Sequence, residues 1–165
     1  MIEFARSRHV DATPDRIWPF VADITAWPRW FTEAERGEVL SGEGLGRRQR
    51  MSGHARGKAT EIDSVVTVWQ PPTELRWHHE AERVDGKPGS VVFARDATAE
   101  VTIAPDGAGS LVTYRLLADP GSLLNTFMLR VMAPRPIRTS FDTSLERLAA
   151  LVEGQPRGTT GSGSE

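Results

Sequence analysis

The stretch TELRWHHE, residues 73 to 80, sets two histidines and a glutamate beside a tryptophan. Side chains of this kind could hold a metal ion or move a proton, and their spacing decides between the two. In a strand, neighbouring side chains point to opposite faces. His78 and His79 therefore cannot easily chelate one ion, and the sequence holds no HExxH spacing. No metal site is expected. The same alternation puts Leu75, Trp77 and His79 on one face and Arg76, His78 and Glu80 on the other. The apolar set should look inward, and His79 comes with it. In SVVFARDATAEVTIA, Arg95 shares a face with Val91, Phe93, Ala97, Ala99, Val101 and Ile103, and in SLVTYRL, Tyr114 stands between Val112 and Leu116.

Each of these polar tips has a chemical role open to it and a plainer one. An imidazole, with an ordinary pKa of about 6.5, could transfer a proton, and a guanidinium could polarise a carbonyl. His79 could equally be a satisfied core or rim group. Arg95 could sit at a strand end, its stem covering apolar surface and its head in water. If it points inward it needs an acid, water, or an anionic or carbonyl-bearing ligand, because charges are not buried unpaired. Tyr114 could be a core aromatic with its hydroxyl bonded locally.

Other motifs fail on spacing. In GHARGKAT only three residues separate Gly53 from Gly57, and Ala59 stands where a phosphate loop needs Ser or Thr for magnesium. The glycines of GEGLG lack the preceding strand and following helix of a dinucleotide fingerprint. There is no GxSxG elbow. No cofactor is expected.

The 165 residues, 39% apolar and 25% charged, suffice for one domain with a real core. A net charge of -2 with mixed signs argues against a nucleic-acid partner, the run Arg47 to Arg50 being the local exception. The absence of Cys suits a reducing cytoplasm. MIEFARSRHV has no apolar signal region, and no run is long enough to span a bilayer. A soluble cytoplasmic protein without an integral membrane segment is expected, its oligomeric state left open.

The elements that must position these side chains follow from periodicity. Residues 2 to 10 alternate and read as a strand. Thr13, Pro14 and Asp15 open a short helix, and Asp23 caps a second that Pro28 should end near Trp30 and Phe31. From Glu38 to Ala118 about six strands and turns follow one another. From Gly121 the period is helical, through Leu124, Phe127, Met128, Val131 and Met132 to Phe141, Leu145, Leu148 and Val152. Pro134 and Pro136 should kink or break that helix. GQPRGTTGSGSE reads as a flexible tail.

The opening DATPDRIWPFVADITAWPRWF, the loop and strand GEGLGRRQRM, VVTVWQPPTELRW and the glycine-rich turn before SLVTYRL together resemble the START-like superfamily, also called SRPBCC. Within it they are similar to the polyketide cyclase/dehydrase and lipid-transport group, over roughly residues 2 to 153. The resemblance implies an α+β helix-grip fold: two short helices after the first strand, and a curved antiparallel sheet wrapped around a long C-terminal helix. Residues 1–153 would form the ligand-binding domain and 154–165 the tail.

The resemblance also implies a cavity between sheet and helix. An apolar cavity of about 300 Å³ or more, with a few polar groups, is what a small-molecule site requires. Phe127, Met128 and Val131 would form its helix side, Trp77, His79, Phe93, Arg95 and Tyr114 its sheet side, and Trp30 and Phe31 its mouth. The expected partner is a hydrophobic or aromatic small molecule, polyketide-like or lipid-like. An aromatase/cyclase guiding aldol cyclisation and dehydration is the alternative, with His79 and Arg95 as its catalytic pair. An interaction module has little support from the sequence, which shows no obvious exposed basic or apolar patch.

Overall fold

The computed structural model describes residues 1–155. The tail expected at 154–165 therefore lies, from residue 156 on, outside the described residues. The chain opens with strand β1 (Ile2–Val10), helix α1 (Pro14–Ala22) and a 3-10 helix (Ile24–Arg29). Pro14 begins α1 at a position whose N–H has no helical partner anyway, and the Asp23 side chain caps the 3-10 helix by accepting from Thr25 N at 2.9 Å.

Seven strands follow: β2 (Arg36–Ser41), β3 (Arg48–Ala55), β4 (Lys58–Gln70), β5 (Glu74–Val84), the two-residue β6 (Lys87–Pro88), β7 (Asp96–Asp106) and β8 (Gly109–Asp119). All pairings are antiparallel, in the order β1-β8-β7-β5-β4-β3-β2 with β6 against β5. The last strand of the meander thus pairs with the first, and the sheet curls around helix α3 (Pro134–Glu153), which packs along β1. Between β8 and α3 lie helix α2 (Leu123–Phe127) and a π-helical turn (Met128–Met132). The expected break in the C-terminal helix is there, at Ala133-Pro134.

Two glycines let the 3-10 helix and the segment after it lie directly on the sheet. A Cβ on Gly37 would stand 2.0 Å from the Ile24 carbonyl oxygen, and one on Gly53 2.0 Å from that of Glu33. Only a residue without a side chain allows that approach. The segment after the 3-10 helix is further tied down by Glu35 N donating to Ser52 O at 2.8 Å.

The grip is filled by aromatic rings. Trp27 Nε1 donates to Val21 O and Trp30 Nε1 to Phe20 O, both at 3.0 Å, so these buried indoles leave no donor unpaired. From Trp27 the rings continue to Trp77 (centroids 4.8 Å apart), and Phe31 leads to Tyr114 (5.3 Å) and on to Phe141 on α3 (4.2 Å). Most of the aromatic surface concentrated in residues 18 to 31 is therefore core. Among the described residues, no helix is long and apolar enough to cross a membrane, and no group of three or more His, Asp or Glu side chains could hold a metal ion.

Candidate functional site

Inward-facing residues of β3, β4, β5 and β8 meet α3 and the segment after the 3-10 helix around a small internal cavity. Met51, Ile62, Trp77, Leu116, Ile137 and Phe141 give it apolar walls, while Glu33, His79 and Tyr114 bring polar groups to it. Its volume is about 30 Å³, roughly the liquid volume of one water. The expected cavity of 300 Å³ or more is not open in this conformation, because the aromatic rings and Ile137 occupy the space between sheet and helix.

His79 reaches the inner face by the alternation that buries Leu75 and Trp77. Beyond it the strand changes phase. Ser64 opposes His79 but Asp63 opposes Ala81, so Glu80 is an extra residue in β5. Such a bulge turns the residues after it to the other face. Glu82 consequently opposes the buried Ile62 and lies on the same side as His79. His79 Nδ1 and Glu82 Oε1 are 2.7 Å apart, both side chains nearly buried. The second Glu82 oxygen accepts from Val91 N.

Glu33 is placed by Gly53 beneath it and by α3 beside it. Thr32 N donates to Ser144 Oγ at 3.1 Å, the Thr32 and Ser140 hydroxyls are 2.7 Å apart, and Ser140 Oγ donates to Glu33 Oε1 at 3.3 Å. Burial raises the Glu33 carboxyl above its usual range, opposed by the Ser140 hydrogen bond and by Arg56 and His79. Burial also raises the Tyr114 phenol well above its usual range, and the Glu33 charge adds to the effect. Tyr114 is thus held as a neutral hydroxyl. Nothing in the spacing of FTEAE marks Glu33, and sequence reasoning missed it. Glu82 was hidden by the bulge.

Of the residues expected at the site, Phe31, Trp77, His79 and Tyr114 line the cavity. Trp30 is sealed in the core instead. Phe93 and Arg95 do not stand on a strand face, because β7 begins only at Asp96. Before that point side chains take the backbone donors, Glu82 accepting from Val91 N and Ser90 Oγ from Ala94 N at 2.8 Å, and Arg95 N is the first to bond β8, at Asp119 O (2.7 Å). Phe93 has a φ of 56° and lies 4.1 Å beneath the Arg56 guanidinium. Arg95 is 71% exposed, paired with Asp119 and packed on Gly121. It meets His79 only across an outer recess of about 200 Å³, where the pairing of β5 with β7 ends at His78 and Thr98.

The helix side also differs. Phe127 and Val131 are exposed and Met128 half-buried, while Leu129 is the buried anchor of the π turn. Ala133 N bonds back to Met128 O, five residues away, and the extra residue per turn rotates the stripe that a 3.6-residue period would bury. Ile137 and Phe141 form the helix wall in their place. The rotation also leaves an exposed apolar patch that the sequence did not reveal.

A sheet curled around one long helix, with an apolar interior and a few buried polar tips, defines the START-like, helix-grip class of proteins. The chain belongs to the family described as Polyketide cyclase / dehydrase and lipid transport, which it matches over residues 1–153. No curated protein matches it in sequence. Among solved structures it is similar to CV1439 of Chromobacterium violaceum, with 22% identity, a TM-score of 0.67 and coverage of 95% of this chain and 100% of the other. TTHA0849 of Thermus thermophilus gives 19% identity, a TM-score of 0.73 and coverage of 93% and 98%. The di-domain ARO/CYC BexL from the BE-7585A biosynthetic pathway gives 21% and 0.68, with 94% of this chain matched to 48% of that one. At these identities the likeness is one of fold.

Proposed function

We propose that this chain binds a hydrophobic or aromatic small molecule, polyketide-like or lipid-like, between its sheet and its C-terminal helical region. One observation carries the reading: Glu33, His79 and Tyr114 converge on an internal cavity whose other walls are apolar. Apolar walls give affinity and a few fixed polar groups give orientation. With about 30 Å³ available, entry requires the region over the cavity to move outward. The stretch leading into the helix wall is weakly held, since α2 has no buried residue and the π turn has only Leu129. Ligand that binds the folded state raises its stability by linkage. Thermal unfolding with lauric acid and with aminoanthracene in excess tests the reading. A raised melting temperature supports it, and no shift with either class counts against it.

The cyclase reading is favoured by the His79–Glu82 pair. With Glu82 accepting from Nδ1–H, the imidazole is held in one tautomer and Nε2 is left to take a proton from a substrate carbon next to a carbonyl. The neutral Tyr114 hydroxyl would donate to the carbonyl oxygen as charge develops there. Arg95, on the outer recess, has no part in that step. Turnover of a linear poly-β-ketone lowered by about 10²-fold or more in His79→Ala, with binding retained, separates this reading from binding alone.

A further inference from the structure

Leu123, Leu124, Phe127, Val131 and Met132, all in α2 and the π turn, are between 55% and 91% exposed. The other exposed large apolar side chains are scattered over the termini, turns and strands. From Pro120 to Phe141 the chain carries three arginines, Arg130, Arg135 and Arg138, and no acid, although its net charge is -2. All three arginines are exposed. The acids bordering the segment are already engaged, Asp119 with Arg95 and Asp142 with Arg6. Leu124 and Phe127 stand three positions apart in α2, and Arg135 and Arg138 three apart in the first turns of α3, so each pair shares a side of its own helix.

We propose that this segment docks the protein onto an anionic lipid bilayer. Exposed apolar side chains flanked by arginines and lacking acids are the chemistry of an interfacial helix: the apolar groups enter the headgroup boundary and the cations meet anionic lipid. A second copy of the chain is a poor occupant. A two-fold contact sets the patch against itself, bringing arginines against arginines with no acid to pair them. The docking goes beyond the cavity reading and does not depend on it; the segment ends on Ile137 and Phe141, which form the helix wall of the cavity.

The test is sedimentation of the full chain with vesicles of phosphatidylcholine and phosphatidylglycerol, compared with phosphatidylcholine alone. The expected result is binding to the anionic vesicles that weakens with salt. It should fall about tenfold or more in Leu124→Ser/Phe127→Ser and in Arg130→Gln/Arg135→Gln/Arg138→Gln, with circular dichroism unchanged. No sedimentation with anionic vesicles, or equal sedimentation of wild type and both variants, would overturn the proposal. So would a wild-type dimer that Phe127→Ser dissociates and that ignores vesicles. Aminoanthracene titration without vesicles reports on the cavity separately, so the two readings fail independently.

Discussion

His79 and Glu82 lie on the same face of β5, 2.7 Å apart, although they stand an odd three positions apart along a strand. The extra residue Glu80 makes this possible, and the pair fastens the irregular 90–95 segment to the sheet through Val91 N. Glu82→Ala leaves both the imidazole and that backbone N–H without their acceptor. A loss of about 1–3 kcal/mol is expected, measured by urea unfolding. A double-mutant cycle with His79→Ala should show coupling between the two positions, and strict additivity would contradict a working pair.

Glu33 gives a pH signature of known sign. Its carboxyl is raised by burial in the folded protein, so the folded state holds a proton that the unfolded chain releases. Stability contributed by that proton is full below the unfolded carboxylate pKa and is lost as pH rises through the raised folded value. Glu33→Gln cannot titrate. Wild-type stability should therefore fall relative to Glu33→Gln as pH rises from about 4 toward neutrality. Parallel urea midpoints for the two proteins across that range would refute the assignment.

Trp77 is 3% exposed and packs against Trp27 and Tyr114. Trp77→Ala should cost about 3–5 kcal/mol in chemical denaturation. A much smaller cost would show that the ring borders open space and not core.

Gly53→Ala should be among the most damaging conservative changes, because the new Cβ meets the Glu33 carbonyl at 2.0 Å. Separating the two backbones should cost about 1–3 kcal/mol or more and shift Glu33. Gly89→Ala, whose Cβ meets its nearest neighbour at 3.6 Å, is the control. Equal melting temperatures for the two variants would contradict the close approach.

The parts legible in the sequence are those governed by a single period. Alternation alone turns Trp77, His79 and Tyr114 inward, and Asp23 and Pro28 delimit the short 3-10 helix as their chemistry requires. Departures from period were not legible. The bulge at Glu80 brings Glu82 inward, the π turn exposes Phe127 and Val131, and side-chain hydrogen bonds from Glu82 and Ser90 hold Val91 and Ala94 out of the strand that begins after Arg95. Glu33 depends on a contact between Gly53 and a segment some twenty residues earlier. No local pattern encodes that.

Fluorescence titration of aminoanthracene into wild type and Ile137→Arg tests the binding site most directly. Ile137 is half-buried and forms part of the cavity wall, so arginine there can keep its head in water while its stem blocks the interior. Saturable one-to-one binding to the wild type, weakened about tenfold or more in Ile137→Arg at unchanged melting temperature, is the predicted result. Equal affinity for both proteins, or no saturable binding to the wild type, would contradict a ligand site between the sheet and the C-terminal helix.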